Sequence, residues 1–241
     1  MKVSVVIPAF NEAKLLPATL AAVARAQTAL GDRGWTTETI VCDNNSTDGT
    51  GDLARAAGAT VVVESVNQIG RARNTGAAAA TGNWLIFVDA DSEPSVQLFA
   101  AVADLIATRR VLAGGALIAL PDAPAWARLV AEGWAWWSRL ARHMAGAFIF
   151  VETAAFRELG GFSPTLYAGE EIDLSQRLKA LARQRGLRVH ILAHPRLHTS
   201  ARKANLYSPR EALGFVVRAV FRPKKTLSSR EACHLWYDGR R

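Results

Sequence analysis

Residues 2–12 read KVSVVIPAFNE. Lys2–Ile7 is an apolar run of the length of a buried strand. The cluster Pro8-Ala9-Phe10-Asn11-Glu12 ends it, and Asn11 is of the type that caps a helix. Leu16, Leu20, Val23 and Gln27 then recur at helical spacing. The alternation continues with strands at Glu38–Cys42, Thr60–Glu64 and Trp84–Val88. Helices are expected at Asp48–Ala57, closed by Gly58, at Arg71–Ala80 and at Ser95–Thr108. Strand–helix alternation with short links predicts an α/β fold with a mainly parallel, Rossmann-like sheet and helices on both faces.

The second half is less regular. Arg109–Leu120 reads as one or two strands, Pro124–His143 as a tryptophan-rich helix, and Gly146–Val151 as a strand. A short helix at Glu152–Leu159, a turn at Gly160-Gly161, a helix at Ile172–Gln184 and a strand at Arg188–Leu192 follow. Pro209–Phe221 is a further expected helix. The expected division is a first half at 1–110, a second half of the same domain at 111–205, and a basic helical tail at 206–241.

Half of the 241 residues are hydrophobic and 21% are charged, which excludes a disordered chain. No run reaches the ~20 apolar residues of a spanning helix, and no signal peptide is visible. Cys42 and Cys233 are too few for a disulfide framework and read as free thiols in a reducing compartment, so a cytoplasmic setting is expected. The net charge is +8. From Ala201 onward 10 Lys/Arg face 3 Asp/Glu, or +7, which leaves +1 for the first 200 residues. A basic tail of this kind suits a phosphate-bearing ligand or an anionic membrane surface at the inner face of the membrane. No nucleic-acid recognition module is visible.

The polar clusters after strands one to four are Pro8–Glu12, Asp43-Asn44-Asn45-Ser46, Asn67–Asn74 and Asp89-Ala90-Asp91. An open parallel sheet binds ligands at the carboxyl ends of its strands, so segments about 90 positions apart converge on one rim. Asp89 and Asp91 need a turn after Val88 to point the same way. Their hard oxygens suit Mg²⁺ or Mn²⁺, which keeps one or two protein carboxylates and takes phosphate oxygens as well. The plainer reading is a solvated acidic turn or a cap before Ser95.

Taken in order, these motifs, with Asp43–Thr50 and Ala72-Arg73-Asn74-Thr75-Gly76, resemble family 2 glycosyltransferases of the GT-A fold. Gly160-Gly161-Phe162 and Gly169-Glu170-Glu171-Ile172-Asp173 resemble that family's acceptor-side motif. The resemblance runs to about Lys203. It implies a metal-dependent hexosyl transfer, with inversion, from a UDP- or GDP-sugar to a sugar, lipid-linked or small-molecule acceptor. It also implies that Pro8, Phe10, Glu12 and Asp43 hold base and ribose and that Arg73 and Asn74 lie against the nucleotide. Asp89 would meet ribose or metal through the Asp89-Ala90-Asp91 motif, and Asp91 metal and diphosphate. The family often has two acids where this chain has Asp43 followed by Asn44, so Asp43 alone would serve there.

The second acid of the acceptor motif is usually the family's base, which maps to Glu171, with Glu170 as the alternative. A carboxylate there would take the proton of the attacking hydroxyl. Glu170, Glu171 and Asp173 would equally suit a helix's first turn. His198 and Glu93 compete as third metal ligand, and Arg202 and Lys203 would face departing phosphates. Trp134, Trp136 and Trp137 beside Arg139 and Arg142 read as core packing, as an acceptor platform or as a surface for lipid headgroups.

Other classes fit less well. A nicotinamide enzyme would need a glycine-rich turn after strand one, and a sugar nucleotidyltransferase would need glycines with a basic residue there. A phosphatase would place its aspartates after the first strand. A non-catalytic nucleotide-sugar-binding protein of the same fold would be told apart by failing to release nucleoside diphosphate.

Overall fold

The structure, a computed structural model, describes residues 1–202, 206, 210–211, 214–215, 218, 221–233 and 237. Its elements run β1 (Lys2–Ala9), α1 (Leu16–Gly31), β2 (Thr36–Asp43), α2 (Thr50–Ala56), β3 (Thr60–Val63), α3 (Ile69–Ala79), β4 (Trp84–Val88) and β5 (Ser92–Glu93). Then come α4 (Val96–Ala107), β6 (Val111–Ala119), α5 (Ala125–Ala141), β7 (Phe148–Glu152), α6 (Thr153–Glu158), α7 (Glu170–Gln184), β8 (Arg188–Thr199) and a short helix at Pro223–Leu227.

One eight-stranded sheet has the order β3-β2-β1-β4-β7-β6-β8-β5. β1 lies parallel between β2 and β4, and β2 is parallel to β3. β7 enters antiparallel between β4 and β6, whereas β6 and β8 run parallel. The carboxyl ends of β1, β2, β3, β4, β6 and β8 therefore share one rim, and the start of β7 joins them there.

Alternation along the central strands divides the core between two faces, because successive side chains point opposite ways. Trp84, Ile86 and Val88 of β4 join Val3, Val5 and Ile7 and pack with Leu20 of α1 and Phe99 of α4. Leu85 and Phe87 join Val6, Phe156, Phe162 and Leu174 on the other face. The Phe87 ring meets Phe156 at 5.3 Å and Phe162 at 5.2 Å. α3 packs so tightly on this face that a Cβ at Gly76 would lie 2.5 Å from Val6 Cγ1.

Several expectations are corrected. Asn11 does not cap α1; it turns the chain at φ 51°, and its Oδ1 accepts from the Thr47 amide at 2.8 Å. The helix starts at Leu16 with proline in its first turn and no side-chain cap. Arg109–Leu120 holds a single strand, β6. β8 continues past Leu192 to Thr199 because the register slips between Ala116↔Leu192 and Ile118↔Leu197, which bulges out the stretch containing Pro195. β5 went unread because two residues carry no periodicity. The expected helix at Pro209–Phe221 falls largely outside the described residues, as does Lys203.

Candidate active site

A turn follows β4, in which the Ser92 amide donates to the Asp89 carbonyl at 3.1 Å. Between them Ala90 is buried, and its carbonyl accepts from Thr19 Oγ1 at 2.8 Å. The two carboxylates then go to different arginines.

Asp89 is held by Arg73 of α3. This guanidinium is buried and donates to Asp89 Oδ1 at 2.9 Å, to Glu170 Oε1 at 2.7 Å and to the Gly146 carbonyl at 3.0 Å. It also lies 5.3 Å from the centre of the Phe162 ring. Burial opposes its charge, but Asp89 and Glu170 outweigh burial and hold it protonated. Arg73 thus ties the ends of β4, α7 and the β7 approach to one centre. Arg73 and Asn74, which the resemblance sets against the nucleotide, both have protein partners in the structure. Asn74 Nδ2 donates to the Phe162 carbonyl at 2.8 Å, and its Oδ1 accepts from the Phe162 amide at 2.9 Å. At Gly161, with φ 72°, a Cβ would stand 2.5 Å from Asn74 Oδ1, so this turn needs its glycine.

Glu170 and Glu171 open α7 after Gly169, as first-turn acids facing the helix dipole. Glu170 is buried in its ion pair with Arg73. Glu171 is half-buried, and burial together with the Glu170 carboxylate pushes its pKa up to about 8. The pair is thus split into one carboxylate committed to Arg73 and one whose pKa is raised by burial and by its neighbour.

Asp91 lies across the rim, 3.7 Å from Arg202 and 3.4 Å from the Thr199 hydroxyl. Arg202 makes a bidentate pair with Glu12 at 2.9 and 2.6 Å. The hydrogen bond to Glu12 is the main cause that raises its pKa above the ordinary arginine value. In the β5–β8 ladder Glu93 sits directly opposite His198, so the two competing ligands are neighbours. Asp91, Glu93, His198 and Arg202 line one cleft of about 970 Å³. No group of three His, Cys, Asp or Glu side chains among the described residues is gathered tightly enough to hold an ion alone.

Pro8 is buried in β1 beside Cys42, and Phe10 is half-buried at the strand's end. Asp43 Oδ1 accepts from the Ser46 amide at 2.9 Å. Asn44 has a role that residue type alone did not reveal. Its Nδ2 donates to the carbonyls of Glu64 and Val66 at 2.9 and 2.6 Å, and its Oδ1 accepts from the Gln68 amide at 3.0 Å. A buried amide thus braces the loop between β3 and α3, where a second acid would repel two carbonyl oxygens. Burial pushes the thiols of Cys42 and Cys233 up to about 12 and about 11, which fits inert free cysteines.

Core packing fails as a reading of Trp136 and Trp137, which are both exposed on α5; the Trp137 ring also lies 4.9 Å from that of half-buried Trp134. The described part of the basic tail is attached to the domain. Phe215, Leu227, Cys233 and Tyr237 cluster with Tyr167 and Ala168. The Leu227 carbonyl accepts from the Tyr167 amide at 2.7 Å, and the Tyr237 hydroxyl accepts from the Ile69 amide at 3.3 Å. No helix among the described residues is long and apolar enough to cross a membrane.

A mixed sheet with helices on both faces and an acidic rim defines the GT-A class of glycosyltransferase folds. The solved mannosyltransferase from Pyrobaculum calidifontis, in complex with GDP-Man and Mn²⁺, aligns at TM-score 0.66 and 21% identity. The alignment covers 88% of this chain and 59% of that one. Glucosyl-3-phosphoglycerate synthase from Mycobacterium tuberculosis, in complex with Mn²⁺, UDP and glucosyl-3-phosphoglycerate, aligns at 0.61 and 21% identity over 98% of this chain and 80% of that one. By sequence, an uncharacterised glycosyltransferase of M. tuberculosis is 43% identical over 89 residues, 37% of this chain and 36% of its own. The match thus spans about a third of that relative's length. The profile of glycosyl transferase family 2 matches residues 4–156, more than half of the chain; the chain belongs to that family.

Proposed function

We propose that this protein is a metal-dependent glycosyltransferase that moves a hexosyl group from a UDP- or GDP-sugar to a hydroxyl acceptor with inversion. The acceptor would be a sugar, a lipid-linked sugar or a small molecule. The observation that carries the reading is the division of labour on one rim: an anchored Asp89–Arg73–Glu170 centre beside a cleft bearing Asp91, His198 and Arg202.

Asp91, with His198 or Glu93 and with Asp89 nearby in sequence, would hold Mg²⁺ or Mn²⁺. The ion would neutralise charge on the departing diphosphate. Pro8, Phe10, Glu12 and Asp43 would receive base and ribose. Arg202 spends two of its five N–H bonds on Glu12, which leaves donors for a phosphate oxygen. Glu170 is committed to Arg73, so Glu171 is the carboxylate of the pair suited to take the acceptor's proton. A single base of this kind suits one direct displacement, hence inversion.

The test is a thermal-shift screen of UDP-, GDP- and dTDP-sugars with Mn²⁺, followed by measurement of nucleoside diphosphate release. Stabilisation by a nucleotide sugar with metal-dependent release is expected. A protein that bound the donor and never released nucleoside diphosphate would be a binding module, and the proposal would fail.

A further inference from the structure

Among the described residues, none covers one apolar face of α5. Leu129, Gly133, Trp136 and Leu140 recur at steps of four, three and four, so they share one side of the helix. Leu129 is 75% exposed, Trp136 69% and Leu140 70%, and Val130 beside them is 64% exposed. The buried residues Ala127, Ala135 and Ser138 occupy the opposite side, which fixes the stripe outward. Such a stripe is unusual on a helix of a folded domain, where the apolar side normally faces the core.

A basic groove begins where the stripe ends. Leu140 lines it together with Arg142, Lys179, Arg183 and Arg188, and Arg139 flanks Arg142 and Arg188. Among the described residues none of these five cations forms an ion pair. Lys179 spends a hydrogen bond on the Ala141 carbonyl at 2.8 Å and finds no carboxylate. The cations act on one another: burial first, then Arg183 and Arg142, lowers the Lys179 pKa, and Arg188 and Arg142 add to the burial that lowers His190. By contrast, Arg196 pairs with Glu132 nearer the other end of the helix.

We infer that α5 and this groove form a docking surface for an anionic lipid bilayer. The stripe would enter the headgroup boundary, with Trp136 at the level where indoles settle. Arg139, Arg142, Lys179, Arg183 and Arg188 would meet the lipid phosphates. The charge complementarity selects a lipid surface over a protein partner's apolar groove, because five unpaired cations would need an acidic rim as well. The surface is independent of donor chemistry, and it does not rest on the basic tail.

The experiment is co-sedimentation of the full chain with vesicles of phosphatidylcholine alone and with 30% phosphatidylglycerol, at low and high salt. The parent is expected to bind the anionic vesicles and to release them as salt rises. Each basic residue near the lipid is worth about fivefold in partitioning, so R142S/R183S/R188S should lose on the order of a hundredfold. L129S/W136S/L140S replaces only exposed side chains and should lose at least tenfold while donor hydrolysis stays unchanged. Parent protein that ignores both vesicles overturns the inference, and so does undiminished binding by the apolar triple variant. A dimer in sedimentation equilibrium that dissolves on W136S, without vesicle binding, would assign the stripe to a second copy instead.

Discussion

Arg73→Met tests whether the buried centre organises the site. Methionine keeps much of the length and apolar stem of arginine but removes every donor. The change leaves the Glu170 carboxylate, 5% exposed, without its partner 2.7 Å away, and strips Asp89 and the Gly146 carbonyl of theirs. Removing one partner of a buried ion pair costs roughly 3–5 kcal/mol. For a chain of 241 residues, each kcal/mol lowers Tm by about 2–4 °C, so a fall of roughly 6–20 °C is expected. Glu170→Gln alone should cost less, about 1–2 kcal/mol, because the guanidinium keeps Asp89 and Gly146 and still donates to the amide oxygen. Combining the two removes the unpaired charge that Arg73→Met creates, so the double variant should be more stable than the sum predicts. Urea unfolding of the four proteins gives the coupling energy. A Tm shift below about 2 °C for Arg73→Met, or additivity within about 0.5 kcal/mol, would refute the reasoning.

Other expectations follow from the same geometry. Asp91→Ala should abolish Mn²⁺-dependent donor turnover without changing Tm by more than a few degrees, because the residue sits on a rim loop; calorimetric titration of Mn²⁺ into His198→Ala and Glu93→Ala then decides the further ligand. Glu171→Gln should keep donor binding and lose transfer by ~10²–10⁴-fold. Since only the ionised carboxylate accepts a proton, parent transfer should rise with pH through about 8 and level off above it, and that rise should vanish in Glu171→Gln; an unchanged profile would move the role to another group. Asn44→Asp should destabilise more than Asn44→Ala in urea, because it sets a charge against the Glu64 and Val66 carbonyls.

The first half was legible because its strands are short, built on runs of apolar residues and punctuated. Trp84–Val88 begins and ends where β4 does, since five buried residues lie between Asn83 and Asp89. The rim followed from that, as did the turn joining Asp89 to Asp91. Other features were invisible for physical reasons. β8 contains Pro195, which breaks the pattern of a strand whose pairing partner absorbs the break as a bulge. The partners of Arg73 come from residues 16, 73 and 97 positions away, and no local spacing announces such a centre. Asn44 looked like a missing acid, because its three bonds depend on a loop some 20 residues downstream.

The segment bearing Leu227 and Tyr237 acts as a splint across the start of α7 and the start of α3. It holds the Tyr167 amide on one side and the Ile69 amide on the other, and Leu227 sits where a Cβ on Gly169 would touch it. Gly169 immediately precedes the two glutamates, and Ile69 opens the helix that carries Arg73. The freedom of both helix starts is therefore linked to how firmly that segment stays docked. Anything that drew it away would loosen Glu171 and Arg73 together, without touching either. Shortening the chain at this end would consequently act on both helix starts at once, at a distance from the residues removed.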